Sequence, residues 1–472
     1  MKKSFSCSHP FFGQKTVVWN LAVLGFSAAG PWAGISAKAE PSVIQPGIRS
    51  WVAAAKTGRA DIWFIGDSIA GSFDAGFNTA AAKYVGLAGT GLANDGSGGN
   101  VGTGTNTNYT YTVSPPYPLN SDGWDVSPTA VRPDRQSYVR SFGEPITAGA
   151  SPAQFYSYFL SPGTHLDPQA AYDWNIYTAS PDGGGSMQAR RFMINNGNES
   201  AMQVTAPIVT QTPASGLQRS VFHFNTTTGY DGLISDTQLI NTTDTSVLYS
   251  RMLKPGTPTG ATVTTWSYGG HNAHDMYTDK YAAGPSSQAG RGQFLTAMTD
   301  GGSGKLMVTL EEGTNDASPT LANTPSLLNG ILPGNSPAAF ADNMTALIDG
   351  IKSDWISTGK PAGDLSFLVL GMYDYGHQSP DSVATHLAFS DQMRTLAQSR
   401  GDVSFIDLHD IAPTWDQANA LGYMVDDVHP TVLGATVYSD ALFQQLTSPI
   451  PEPSCLTLTL IVPLLLARRR WK

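Results

Sequence analysis

Five short apolar runs punctuate the chain, and the first three stop on small and polar residues. Ile62–Ile65 runs straight into Gly66-Asp67-Ser68, Thr262–Trp266 leads to Gly269-Gly270, and Leu306–Leu310 to Gly313-Thr314-Asn315-Asp316. Leu365–Leu370 is followed by Asp374, Tyr375 and His377, and Val403–Ile406 is the fifth run. Helical patterns separate the later runs. Pro337–Trp355 carries Phe340, Met344, Leu347, Ile348 and Ile351 at a spacing of three and four, Val383–Gln398 repeats it with Leu387, Met393 and Leu396, and Thr431–Leu446 closes the series. Strands that alternate with helices predict a parallel sheet covered on both faces. In such a sheet, ligands bind beyond the carboxyl ends of the strands. Those ends are where the polar residues fall.

The texture differs between residues 99 and 260. That stretch is rich in Thr, Ser, Asn, Gly and Pro, and has one lysine, Lys254. Short alternating runs such as "RRFMI", "SVFHF" and "SVLYS" are separated by turn clusters such as "PDGGG". The pattern predicts an inserted all-β module of sandwich type, entered through the Gly-rich linker at residues 96–108. Its aromatics, Trp124, Tyr138, Tyr156, Tyr158, Trp174 and Tyr177, fit either a sandwich core or a sugar-stacking platform. Charged residues are only 14% of the chain and glycines number 49, which suits a loop-rich secreted protein. A formal net charge of −10 with no Lys/Arg stripe argues against nucleic-acid binding.

Both ends read as addresses. Lys2 and Lys3, the apolar stretch Val17–Gly25 and Ala37-Lys38-Ala39 predict a secretory signal over residues 1–39. At the other end, Pro451-Glu452-Pro453 precedes the apolar run Leu456–Ala467 and Arg468-Arg469-Arg470. The run is shorter than the roughly twenty residues a spanning helix needs. These three parts, within residues 449–472, resemble the PEP-CTERM sorting tail of Gram-negative bacteria. The resemblance implies export to the cell surface or beyond, with signal peptidase and an exosortase-type enzyme as processing partners. The two cysteines, Cys7 and Cys455, lie in these end segments. A disulfide framework, a thiolate metal site and a cysteine nucleophile are thereby excluded from the body.

Each polar word has a chemical reading and a plainer one. Ser68 after an apolar strand is a candidate nucleophile, or an ordinary turn residue. In "VDDVHPT", Asp426 stands three residues before His429 and can hold its imidazole in one tautomer, or the pair is a surface turn. Asn315 can donate to a developing oxyanion, or cap a helix. Gly270 can bring a backbone N–H close to a substrate, with Gly269 and Gly89 as rivals. His271, His274 and Asp275 lack the spacing of a metal site, so no metal is expected. Asp374, Tyr375 and His377 either line a substrate pocket or are plain loop residues.

The order of these words resembles the four blocks of the SGNH, or GDSL, hydrolase family. The match covers roughly residues 60–98 and 260–447. It implies a flavodoxin-like three-layer α/β/α fold, split into residues 40–98 and 261–448 by the insertion, and no cofactor. Carried over, Ser68 matches the nucleophile, His429 the base and Asp426 its partner. The oxyanion hole is then the Ser68 N–H, the Gly270 N–H and the Asn315 side chain. The first two blocks stand much further apart here than in compact members. The implied activity is hydrolysis of acyl esters, acetyl foremost, on extracellular carbohydrate. A lipase-like esterase or an acyltransferase is the alternative within the family. A non-catalytic glycan-binding surface protein is the alternative outside it.

Overall fold

The structure is a computed structural model that describes residues 42–92 and most of 146–448. The expected signal, linker and sorting tail, both cysteines, Trp124, Tyr138, His377 and the side chains of Tyr156 and Tyr158 lie outside the described residues.

Five strands form one parallel sheet: β1 (Arg59–Gly66), β2 (Gly260–Ser267), β3 (Leu306–Glu311), β4 (Leu365–Gly371) and β5 (Val403–Asp407). Their spatial order is β2-β1-β3-β4-β5, with every neighbouring pair parallel. This is the flavodoxin order, which reverses between β1 and β3 and opens a crevice at the strand ends there. The five apolar runs are these five strands, several residues longer in β1 and β2. Six helices cover the sheet: α1 (Pro46–Thr57), α2 (Ser68–Tyr84), α3 (Gln288–Thr299), α4 (Pro337–Ser357), α5 (Pro380–Ser399) and α6 (Val432–Thr447).

The alternation of side chains along β1 explains the two covered faces. Trp63 meets Phe294 of α3 at a ring-centroid distance of 4.9 Å. Its neighbour Phe64 points the other way and meets Phe77 of α2 at 4.8 Å. Every residue of β1 is buried, so its centre, Ile62–Ile65, reads as a continuous apolar run rather than an alternating one. Helices α1, α2 and α6 pack together on one face, and α3, α4 and α5 on the other.

Between α2 and β2 the described elements are antiparallel strands. One sheet runs in the order Ile146–Thr147, Ser246–Leu253, Tyr172–Ser180, Ala214–Phe224. A second runs Ala153–Phe159, Gly232–Ile240, Ser186–Asn195, Asn198–Val204, with Val209–Thr210 paired to Ser186–Asn195. The expected β module is thus present. Trp174 and Tyr177 are fully buried, which makes them core rather than platform.

Arg251 ties this module to the parallel sheet. Its guanidinium lies 3.3 Å from the Asp61 carboxylate of β1 and donates to Tyr177 Oη at 2.7 Å. It also donates to the carbonyls of Met298 and Asp300 at 2.6 and 2.8 Å. Asp61 further pairs with Arg59 at 3.2 Å and accepts from Thr262 Oγ1 at 2.6 Å. Both Arg251 and Asp61 are 0% exposed. A charge this deep is tolerable only when paired and hydrogen-bonded. Arg251→Met keeps the bulk but strands these acceptors. It should cost about 3 kcal/mol or more in urea unfolding, and an unchanged unfolding midpoint would show that the network holds nothing together.

Candidate active site

The site begins where β1 ends. Gly66 is required there by space, because a Cβ would lie 2.3 Å from the Glu311 carbonyl oxygen of β3. Asp67 then caps α2, its Oδ1 accepting the Ile69 N–H at 2.7 Å, as short polar side chains do at helix N-termini. Ser68 is the first residue of α2. Its N–H, like the other first-turn donors, has no partner within the helix, and the positive end of the helix dipole favours negative charge beside it.

His429 comes from the other end of the chain. Its Nε2 lies 2.8 Å from Ser68 Oγ. Its Nδ1 lies 2.9 Å from Asp426 Oδ2. Nδ1–H therefore donates to the carboxylate, Nε2 is left as an acceptor, and the Ser68 hydroxyl donates to it. A sequence separation of 361 positions between Ser68 and His429 closes into one hydrogen bond.

Asp426 is oriented by its own loop rather than by burial. Its side chain is 53% exposed. Oδ1 accepts the backbone N–H groups of Val428 at 2.8 Å and His429 at 2.7 Å. Partial burial works against its ionisation. The His429 and Val428 N–H bonds and then the imidazole outweigh that effect and hold the carboxyl below its ordinary value. The loop is braced from outside. Tyr373 Oη donates to the Val428 carbonyl, and the Gly376 N–H donates to the Asp427 carbonyl at 2.8 Å.

The turn after β2 reaches the same edge. Its Tyr268 N–H donates to the Gly66 carbonyl at 3.0 Å, and the His271 N–H closes back on the Tyr268 carbonyl at 3.3 Å. Gly270, at φ +80°, holds the third position, which in such a turn calls for glycine. Gly89 lies elsewhere. It pairs with Leu253, and a Cβ on it would sit 2.1 Å from the Met252 carbonyl oxygen. Its neighbour Leu87 bridges to Ala261, near the start of β2 and so away from Ser68. The rivalry narrows to Gly269 and Gly270.

Asn315 links the pieces. Its Nδ2 donates to Asp67 Oδ2 and to the His271 carbonyl, both at 2.8 Å. Asp374 and Tyr375, candidates for either a substrate pocket or a plain loop, have partners within the protein. Asp374 accepts the Trp415 N–H at 3.1 Å. Tyr375 is buried, with its hydroxyl 2.5 Å from Thr314 Oγ1. His274 Nδ1 lies 3.3 Å from Asp275 Oδ1, and among the described residues no group of three or more His, Cys, Asp or Glu is placed to hold a metal ion.

Beneath Ser68 lies a feature the sequence reading passed over: Asp67, Glu311, Glu312 and Asp316 are all buried. Burial pushes Asp67 and Asp316 up to about 7. Burial, then the neighbouring Asp67 charge, pushes Glu311 and Glu312 well above the carboxylate range. Two carboxyls ending an otherwise apolar strand, "LMVTLEE", were the available signal. In an unfolded chain these acids have lost their protons by about pH 6, whereas the folded protein still binds some. Stability therefore falls as pH rises from about 6 to 8. His386, which burial holds neutral down to about 4, opposes this below about pH 7, where an unfolded histidine takes up a proton. Calorimetry should show a melting temperature that drops across that range, with a shallower drop in Glu312→Gln. A melting temperature that climbs from pH 6 to 8 would contradict shared protons in the cluster.

No family model and no curated protein matches the chain. Solved structures do. A peptidoglycan O-acetylesterase is 14% identical with a TM-score of 0.46, over 85% of this chain and 95% of that one. A carbohydrate acetylesterase from Sinorhizobium meliloti is 13% identical with a TM-score of 0.28, over 39% and 78%. A family two carbohydrate esterase from Clostridium thermocellum, in complex with cellohexaose, is 11% identical with a TM-score of 0.28, over 62% and 98%.

Proposed function

We propose that this protein is a serine esterase in which Ser68 is acylated and deacylated with His429 as the base. The observation that carries this reading is the unbroken chain Ser68 Oγ–His429 Nε2 at 2.8 Å and His429 Nδ1–Asp426 Oδ2 at 2.9 Å. A nucleophile, a base and an orienting carboxylate in that order need no cofactor. His429 takes the Ser68 proton as Oγ attacks the ester carbonyl. The proton then goes to the leaving alcohol. Water attacks the acyl-serine with the same base, returning free Ser68 and the acid.

The negative oxygen of each tetrahedral intermediate falls at the N-terminus of α2. The donors are the Ser68 N–H, the Gly270 N–H and Asn315 Nδ2. Asn315 spends both N–H bonds in the resting protein, one on the neutral His271 carbonyl. A charged oxyanion is the stronger acceptor and displaces that carbonyl.

The substrate class that fits is an acetyl or other short acyl ester on extracellular carbohydrate. Its support is the export signature of the N-terminus, the sorting-type tail with its implied signal peptidase and exosortase-type partners, and the β module docked beside the sheet. A panel of acetylated polysaccharides with short and long p-nitrophenyl esters separates this from a lipase-like esterase, and acyl transfer to added alcohols from an acyltransferase.

A fluorophosphonate probe tests the core of the reading. It should label the wild type and leave Ser68→Ala unlabelled. A folded wild type that resists the probe would favour a glycan-binding protein instead. Asn315→Ala should lower kcat on p-nitrophenyl acetate about 100-fold. Full activity in that variant would contradict the assigned role.

A further inference from the structure

Asp67 stands between the strand end and Ser68, and three donors converge on it. Ile69 N–H and Asn315 Nδ2 reach it at 2.7 and 2.8 Å. The third is a carboxyl. Glu311 is the last residue of β3 and pairs in register with Gly66 of β1. Its side chain packs over Gly66, where a Cβ would lie 3.1 Å from Glu311 Oε2. There its carboxyl lies beside the Ala70 N–H of α2 and against the Asp67 carboxyl, and no N–H or hydroxyl group donates to its Oε2. Two carboxyl groups in contact cannot both be ionised, so they share one proton. Burial disfavours the second charge further. The other titratable groups acting here are Glu312 after β3, Asp316 beyond it, Asp275 after the β2 turn, and Tyr373 and Tyr375 after β4, all acids. His429 also stands nearby, but it faces Ser68 Oγ and pairs with Asp426, so neutralisation of Asp67 and Glu311 falls to a proton.

We propose that Glu311 is a positioning residue for the esterase reaction, donating its carboxyl proton to Asp67 so that Asp67 holds Ser68 and Asn315 in register. The proposal rests on the reading of Ser68 as nucleophile. Glu311 touches neither substrate nor Ser68 Oγ. It acts through Asp67. With three donors, the Asp67 charge is spread over three bonds. No one bond is then strong enough to keep the Asn315 amide from an oxyanion, yet together they fix its place. Without Glu311, Asp67 keeps an unshared buried charge or takes up a proton itself. Either way its grip on Asn315 changes just where negative charge develops in the transition state. The loss belongs to kcat rather than to substrate binding.

The test compares Glu311→Gln with Glu311→Leu on p-nitrophenyl acetate, each rate divided by the sites titrated with a fluorophosphonate. Gln keeps a donor toward Asp67, and Leu does not. Glu311→Leu should lose about tenfold in kcat with KM unchanged, the scale of one hydrogen bond. Glu311→Gln should stay within about threefold of the wild type on the same scale. Infrared difference spectra should show a neutral-carboxyl band in the wild type that Glu311→Gln lacks. Wild-type kcat in Glu311→Leu, a fall in Glu311→Gln as deep as in Glu311→Leu, or an unchanged carboxyl band each overturns the proposal. Should Glu311→Leu not fold, the rate and spectrum of Glu311→Gln decide it. An inactive, unlabelled wild type overturns the esterase reading and this one with it. An active wild type with an indifferent Glu311 overturns this one alone.

Discussion

The 2.8 Å between Ser68 and His429 depends on how closely two helices approach. α2 begins at Ser68, and α6 begins three residues after His429. They touch backbone to backbone: a Cβ on Gly76 would sit 2.3 Å from the Ala435 carbonyl carbon. Either side of that contact, Phe73 stacks on Tyr438 at 6.0 Å and Phe77 meets Phe443 edge-on at 5.0 Å. Helices packed this tightly move together, because an interior at crystal density leaves no slack. Nucleophile and base, far apart in the chain, are thus mounted on one rigid pair.

The rest of the site hangs from that pair through the sheet edge. β1 delivers Asp67, β2 the glycine turn, β3 the Glu311–Asp316 segment, and the loop after β4 braces the His429 loop through Tyr373 and Gly376. Parallel strands all end on the same side, so loops remote in sequence converge there without special provision. The cost is a set of carboxyls held in the interior, tolerated because protons are shared among them. Arg251 and Asp61 solve the opposite problem toward the other side of the molecule, pairing buried charges of unlike sign to dock the antiparallel module.

Much of this was legible in the residues. The five parallel strands are apolar enough to stand out, and α4 carries a clear three-four spacing whose residues are all buried. The Asp426–His429 spacing suffices for its local geometry, since Asp426 bonds to N–H groups two and three residues on. What escaped detection has physical causes. α2 is buried along nearly its whole length, so it lacks the polar face by which an amphipathic helix is recognised. α1 precedes the first strand and so lies outside the strand-helix alternation, and α3, between β2 and β3, carries Gly290 and Gly292 in its first half, which weaken a helical pattern. Strand pairing and order in the inserted module depend on long-range register, which alternation alone does not specify. The roles of Glu311 and Tyr375 arise from contacts with residues far off in sequence, and nothing local announces them. Asp374 and Tyr375 stand at the functional edge, each hydrogen-bonded within the protein.

The central claim is that an acyl group passes through Ser68. The most direct measurement is peptide mass spectrometry of the enzyme quenched in acid during turnover of p-nitrophenyl acetate. An acetyl group on the peptide bearing Ser68, absent from Ser68→Ala, is the predicted result. Acetylation at another residue, or hydrolysis that continues undiminished in Ser68→Ala, would contradict the account.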